Sequence, residues 1–248
     1  MRLEGKAAVV TGGNSGIGFA IATALRDEGA GVAILGRSPE SLAVAASELG
    51  PDAIARRGDV TRPEDLDALY EEVAGRFGGI DILVANAGLY EPRAFSEVDP
   101  ETFDRTVAVN FRGVFFTVQR ALPHLRDGAS IVLVSSTART AGVPGLSVYA
   151  ATKAAVRSLA RTLAVELQPR NIRVNALSPG MVDTPIFDRA GLTAQQQAEM
   201  RSVMAGQIPL GRFARPAEVA AAALFLASPA SSYVTGSELP VSGGLGQV

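Results

Sequence analysis

The chain has 248 residues, 47% hydrophobic and 19% charged, enough apolar material for a sizeable core. Its formal net charge of −2 leaves no basic footprint for nucleic acid, and the absence of cysteine excludes disulfides, zinc–thiolate sites and a cysteine nucleophile. No apolar run approaches the ~20 residues of a membrane-spanning helix, and no charged segment followed by a long apolar stretch opens the chain, so a cytoplasmic protein is expected, with neither nucleic-acid nor membrane partners.

Lys6 to Val10 is a short apolar run, a strand that breaks at Thr11-Gly12-Gly13. A helix is expected from Gly16 to Glu28 and a second strand over 32–35, ending at Gly36-Arg37. Ser38-Pro39-Glu40 has the form of a helix start, with proline in the first turn, and that helix runs to about Leu49. A third strand covers Ala53 to Gly58, a helix Pro63 to Phe77, and a fourth strand Ile80 to Val84. A long helix is expected from Glu101 to Leu125, then a strand from Ser130 to Val134 and a loop with glycines and a proline. A further helix spans the Tyr149 region to Leu167, and Ile172 to Ala176 is another strand. Met181 to Arg215 is irregular with a helical middle; a last helix covers Pro216 to Ala227 and a last strand Glu238 to Val241.

Strands alternate with helices, and the early strands are near-continuous apolar runs. That pattern means a parallel sheet covered by helices on both faces. With no composition shift and no internal repeat, residues 1–248 are expected to form a single α/β domain, doubly wound and Rossmann-type with a mainly parallel sheet, that both binds a dinucleotide and carries the catalytic groups. The segment near 181–215 is expected to be a substrate lid.

Thr11-Gly12-Gly13-Asn14-Ser15-Gly16-Ile17-Gly18 joins the first strand to the first helix. Glycines here permit positive φ and close backbone approach, and the helix start offers free N–H groups to a pyrophosphate. Gly12, Asn14, Ser15, Gly16, Ile17 and Gly18 are therefore candidate cofactor contacts. The spacing Gly-x3-Gly-x-Gly differs from the commoner Gly-x-Gly-x2-Gly, and a plain glycine turn is the alternative. At the end of the second strand an acidic residue would bind a ribose 2′-hydroxyl. This chain instead has Arg37, followed by Ser38; a guanidinium suits a 2′-phosphate, which favours NADP(H) over NAD(H). The alternative is a solvated surface arginine. Asp59 and Val60, ending the third strand, can border an adenine, the first accepting from its amine and the second packing on its ring.

Tyr149 and Lys153 are four residues apart, so on a helix they share a face. A nearby cation favours the phenolate and is expected to lower the tyrosine's pKa, fitting it for general acid or base work. Ser136, thirteen residues before the tyrosine, ends the fifth strand, where its hydroxyl can hold a substrate oxygen. Alone, a Tyr-x3-Lys pair is commonly just a solvated helix face.

Together these motifs resemble the short-chain dehydrogenase/reductase family, over essentially the whole chain from Lys6 to Gly244. Val84-Ala85-Asn86-Ala87-Gly88 is similar to the family motif after strand four, which supports the sheet near the cofactor. The resemblance implies that Asn110 kinks a helix and holds a water continuing a proton relay through Lys153, and that Lys153 also binds the nicotinamide ribose. It completes a tetrad of Asn110, Ser136, Tyr149 and Lys153, the thirteen-residue spacing selecting Ser136 over Ser135. Pro179-Gly180-Met181-Val182-Asp183-Thr184 resembles the segment on the carboxamide side of the nicotinamide, with Val182 and Thr184 in contact positions. Two departures are Ala85, where the family often has asparagine, and Ser242, where Val-Asp-Gly-Gly is usual.

The opening glycine turn, 122–128, 155–161 and the tail 244–248 look most like NADP-dependent secondary-alcohol dehydrogenases, carbonyl reductases that accept bulky ketones. The expected activity is hydride exchange between NADP(H) and a secondary alcohol or ketone. A 3-oxoacyl-thioester reductase docking an acidic carrier protein, with Arg139 and 201–215 as candidate basic contacts, is an alternative, as are sugar and steroid dehydrogenases. A non-catalytic nucleotide sensor is the reading from another class. The resemblance also implies a homotetramer built on the helices around Asn110 and Tyr149. Met181, Met200, Met204, Phe187 and Leu192 suggest an apolar pocket wall, which Tyr90 can border. His124, the single histidine, has no clustered partners, so no metal site is expected. Glu64, Asp65, Asp67, Glu71 and Glu72 fit a solvated helix face.

Overall fold

The short apolar runs between glycine turns become seven parallel strands in the order β3-β2-β1-β4-β5-β6-β7. A computed structural model describes residues 1–184 and 193–247. The strands are β1 (Ala7–Thr11), β2 (Gly31–Gly36), β3 (Ile54–Arg57), β4 (Ile80–Ala85), β5 (Leu125–Val134), β6 (Arg173–Pro179) and β7 (Glu238–Val241). The helices are α1 (Gly16–Asp27), α2 (Pro39–Leu49), α3 (Pro63–Phe77), α4 (Pro100–Val107), α5 (Val114–Ala121), α6 (Ser147–Glu166), α7 (Ala194–Ala205) and α8 (Pro216–Ala227).

Strand side chains alternate between faces, so each apolar run feeds two cores. Val9, Leu83, Ile131, Leu133 and Val174 pack with Leu66, Leu69, Val118 and Val156 from α3, α5 and α6. Val10, Ile82, Val84, Val132 and Val134 pack with Ile21, Leu25, Leu42, Val219 and Ala223 from α1, α2 and α8. Leu83 and Ile131 are fully buried, and truncating either to alanine would cost about 2–5 kcal/mol.

Local chemistry sets the helix ends. The Ser38 hydroxyl accepts from the Ser41 N–H to start α2, and the Asp99 carboxylate accepts from the Thr102 N–H at 2.7 Å to start α4. Pro63 and Pro216 open α3 and α8, and Gly78 closes α3 in the left-handed conformation.

Three sequence expectations need correction. The helix expected from 101 to 125 ends at Ala121, and it is divided into α4 and α5 by a wider π-helical turn over Ala108–Gly113 that contains Asn110, the residue for which the resemblance implies a kink. β5 begins at Leu125, not Ser130; Leu125 pairs with Ile80, and a register shift between Ile80 and Ile82 absorbs the polar Asp127-Gly128 corner. β6 runs on to Pro179, because Ser178 and Pro179 pair with Pro240 and Val241. In the segment after β6, Thr193 precedes α7 as its cap, in a reciprocal pair with Gln196. Phe187 and Leu192, expected in a pocket wall, lie outside the described residues. Among the described residues no helix is long and apolar enough to cross a membrane.

Candidate active site

The carboxyl ends of the strands open into a cleft of about 650 Å³. It lies where the strand order reverses between β1 and β4, the place where open parallel sheets take ligands.

The glycine turn lines one end of the cleft, and its glycines are sterically required. A Cβ on Gly18 would lie 2.1 Å from the Gly12 carbonyl oxygen and 2.4 Å from Asn86 Nδ2. Gly12 and Gly16 hold φ of +64° and +54°. Asn86 Nδ2 donates to the Thr11 carbonyl at 3.0 Å, while the Thr11 hydroxyl accepts from the Asn86 and Ala87 N–H groups at 3.1 and 3.2 Å. This lattice clamps β4 to the turn. Ser15 precedes α1 without a side-chain cap, so the first N–H groups of the helix are left for an anion. Gly12, Asn14, Ser15, Gly16, Ile17 and Gly18 all line the cleft with Asn86, Ala87 and Gly88. The cradle fits a dinucleotide pyrophosphate.

At the β2 end, Asn14 packs where a Cβ on Gly36 would sit, 2.3 Å from its Oδ1, and donates to the Ser41 hydroxyl at 2.7 Å. Arg37 is exposed on the cleft wall and has no ion-pair partner among the described residues. Ser38 lines the same wall, but its hydroxyl is already engaged by Ser41 N–H and by Glu40, to which it donates at 2.7 Å. That bond, with Arg57 nearby, holds the Glu40 carboxyl below its usual pKa. Sequence reasoning passed over Arg57. It ends β3 directly opposite Gly36 and is exposed, whereas its neighbour Arg56 pairs with Glu72 at 2.8 Å. Asp59 and Val60 line the cleft as expected; Asp59 Oδ1 accepts from the Thr61 N–H and hydroxyl, both at 2.9 Å.

Deeper in, the four tetrad residues come together. Tyr149 and Lys153 project from successive turns of α6 into the cleft. The Ser136 hydroxyl reaches the Tyr149 phenol and accepts from the Ala138 N–H at 3.2 Å. Ser135 has a different task, donating to the Lys153 carbonyl at 2.8 Å. Asn110 is fully buried in the π-helical turn, a feature frequent at functional sites. Its side chain accepts from the Leu89 N–H at 2.7 Å and donates to the Leu89 carbonyl at 2.9 Å. A Cβ on Gly88 would lie 3.5 Å from both Asn110 Oδ1 and Lys153 Nζ, so the missing side chain keeps the space between them open.

The electrostatics correct one expectation. Lys153 was expected to lower the pKa of Tyr149. Burial instead raises it, the Ser136 hydroxyl partly offsetting that and Tyr90 adding to it. Lys153, whose own burial brings its pKa down to about 8, gives its ammonium hydrogen bond to the Val134 carbonyl at 2.9 Å.

On the opposite wall Pro179, Gly180, Val182 and Thr184 line the cleft. Gly180 must be small, since a Cβ would lie 2.9 Å from Ser242 Cα, and its N–H donates to the Val241 carbonyl at 2.9 Å. Beyond the tetrad the cleft is walled by Tyr90, Val143, Leu146, Met181, Met204 and Leu245. Tyr90 stands edge-on to Tyr149, ring centres 5.3 Å apart. Met200 is absent from the wall. Gln207, inside the expected lid segment, was not singled out, and Leu245 and Gly246 were not anticipated, because only folding brings the segment after β7 back to the cleft. Arg139, expected to be free for a carrier protein, is largely buried in an ion pair with Glu238.

The family model described as enoyl-(acyl carrier protein) reductase matches residues 12–246. The chain is 45% identical to an oxidoreductase of Sarocladium schorii over 249 residues, 100% of this chain and 98% of the relative. It is 42% identical to the cis-4-hydroxycyclohexanecarboxylate dehydrogenase of Sinomonas cyclohexanicum over 244 residues, 96% of each. Among solved structures it is similar to a short-chain dehydrogenase/reductase of the glucose/ribitol dehydrogenase type from Brucella melitensis, with a TM-score of 0.92, 36% identity and 98% of each chain covered. It is also similar to a 3-ketoacyl-(acyl-carrier-protein) reductase of that organism in complex with NADH, with a TM-score of 0.90 and 38% identity, covering 98% of this chain and 99% of the other.

Proposed function

The chain belongs to the short-chain dehydrogenase/reductase family, an oxidoreductase family, and we propose that it is an NADP(H)-dependent alcohol dehydrogenase or carbonyl reductase acting on a secondary alcohol or ketone, bulky and apolar. The observation that carries this reading is the convergence of Ser136, Tyr149 and Lys153 beside the glycine cradle in one cleft.

The nicotinamide, when bound, supplies a hydride in reduction and takes one in oxidation. The turn 12–18, with Asn86, Ala87 and Gly88, holds the dinucleotide; Arg37 and Ser38 face its 2′-phosphate, and Asp59 and Val60 its adenine. Pro179, Gly180, Val182 and Thr184 hold the nicotinamide side. In reduction the Tyr149 hydroxyl gives its proton to the carbonyl oxygen, becoming phenolate, while Ser136 donates to the same oxygen. The Lys153 ammonium on the same helix face stabilises that phenolate and binds the ribose. Asn110 anchors the proton path at the gap beside Gly88. Tyr90, Val143, Leu146, Met181 and Met204 offer an apolar wall with an aromatic edge, which supports the bulky ketone, and residues 181–215 act as the lid.

The family model's description and the Brucella 3-ketoacyl reductase favour a second reading, reduction of a 3-oxoacyl thioester. Engagement of Arg139 by Glu238 removes one cation that carrier docking would use. An apolar groove lined by Phe95, Phe103, Phe111 and Val148 along α4 and α6 supports self-association, in our reading as a homotetramer, and the location we propose is cytoplasmic.

The test is consumption of NADPH and of NADH by the purified protein, compared on aliphatic ketones, bulky aryl ketones and an acetoacetyl thioester. Faster NADPH turnover on bulky ketones is expected. Preference for the thioester would move the assignment to the second reading, and preference for NADH would overturn the role of Arg37.

A further inference from the structure

We propose that Glu238 is a positioning residue that sets Ser136 against Tyr149 from outside the cleft; this rests on the reading of those two residues as the catalytic pair. Glu238 opens β7, at the edge of the sheet, and is not part of the cleft wall. Its side chain is only 10% exposed, unusual for a carboxylate unless paired. Oε1 accepts from the Ser178 hydroxyl at 2.5 Å and from Arg139 Nε. Oε2 accepts from Arg139 Nη2 and from Arg157 Nε at 3.2 Å.

The two arginines belong to the two halves of the active centre. Arg139 closes the short turn Thr137–Arg139 that begins at Ser136. Arg157 stands on α6 one turn beyond Lys153 and two beyond Tyr149, so the three share one stripe. Arg157 also donates to the Gly236 carbonyl at 2.9 Å, fixing α6 to the approach of β7. One carboxylate thus grips both the Ser136 turn and the Tyr149 helix. The loop between these, residues 140–146, includes several exposed residues and has no regular helix or strand.

Charge explains why a carboxylate is needed there. Arg139 and Arg157 repel each other, and Arg161 adds to the repulsion felt at Arg157. Burial and these like charges lower the pKa of Arg157, and Glu238 opposes that. Without the carboxylate, two poorly hydrated guanidiniums would push the Ser136 turn and α6 apart. A shift of about 1 Å in such a pair costs about 100-fold in rate.

The test is a kinetic double-mutant cycle between Glu238→Gln, which keeps shape and removes charge, and Ser136→Ala. Glu238→Gln is expected to lower kcat about 10- to 100-fold, while reduced-cofactor affinity, read by fluorescence titration, stays within about threefold. In the Ser136→Ala background the same change is expected to cost less than about threefold, since the geometry it protects is already gone. Glu238→Asp should recover part of the loss. Equal fold losses in both backgrounds, or an unchanged kcat in folded Glu238→Gln, would overturn the proposal. Should Glu238→Gln not fold, Arg139→Gln carries the same cycle, because it frees the Ser136 turn and leaves Arg157 paired with Glu238. Turnover retained by Tyr149→Phe would defeat the catalytic reading and this inference together, whereas equal losses with an inactive Tyr149→Phe defeat this inference alone.

Discussion

The Lys153 ammonium lies 5.8 Å from the centre of the Tyr149 ring, yet its hydrogen bond runs away from the phenol to the Val134 carbonyl. Burial disfavours charge on both groups, raising the pKa of Tyr149 and lowering that of Lys153 to about 8. The phenol is thereby held in its neutral form, while the lysine, with a pKa of about 8, still carries its proton at pH ~7 and stands beside the ring as a cation.

The lysine leaves a mark on stability. Its folded pKa of about 8 is below the ordinary 10.5. Below pH ~8 both folded and unfolded states hold the proton; between ~8 and ~10.5 the unfolded chain binds more, so this group makes stability rise with pH. Lys153→Met removes that dependence. Urea denaturation at pH 7 and pH 10 should show the wild type gaining on the variant by roughly 2–3 kcal/mol. A pH-independent difference would mean that Lys153 keeps its ordinary proton affinity.

Tyr149→Phe keeps the ring and its edge-on contact with Tyr90. The fold and cofactor binding should survive while kcat falls about 100- to 10,000-fold. Steady-state turnover and a cofactor titration on the same preparation separate the two effects.

Two glycine substitutions should act in opposite directions. Gly18→Ala drives a Cβ into the Gly12 carbonyl and the Asn86 amide, and should cost about 1–3 kcal/mol or more along with cofactor affinity. Gly75→Ala, in α3 with nothing within 4 Å of the new carbon, should stabilise by about 0.5–1 kcal/mol. Thermal unfolding of both variants is the check, and a Gly18→Ala protein that bound cofactor normally would contradict the cradle.

Arg37→Asp tests cofactor choice with little structural cost, because Arg37 has no ion pair among the described residues. Loss of the charged contact that we propose to the 2′-phosphate should lower kcat/KM for NADPH about 10- to 100-fold and leave NADH equal or better. If Arg57 shares the phosphate, Arg57→Ala will show a smaller loss in the same direction.

Much of the architecture was legible because the chain marks its own boundaries. Pro63 and Gly78 bracket α3, and Pro216 opens α8. Leu125 to Ala129 was not legible as strand, since Arg126-Asp127-Gly128 has the composition of a turn. The strand holds because Arg126 reaches back to Asp81 and the Phe77 carbonyl. The π-helical turn could not be read from the short apolar pattern around it; only the resemblance pointed to an irregular helix at Asn110. In the site, the cleft brings together the residues chosen by local motif, Gly12 to Gly18 and Ser136, Tyr149 and Lys153. Arg57, Leu245 and the Glu238 network escaped notice because their partners lie far away in the chain, Arg139 and Glu238 being 99 residues apart.

The Tyr90–Tyr149 contact also gives the molecule an optical property. The chain has no tryptophan and four tyrosines, two of which stand edge to face in the cleft. Of the others, Tyr70 is sealed in the core against the Thr117 carbonyl and Tyr233 is fully exposed. Ultraviolet emission from this protein is therefore tyrosine emission, half of its fluorophores sit where a ligand would dock, and occupancy can be followed by their quenching with no label attached.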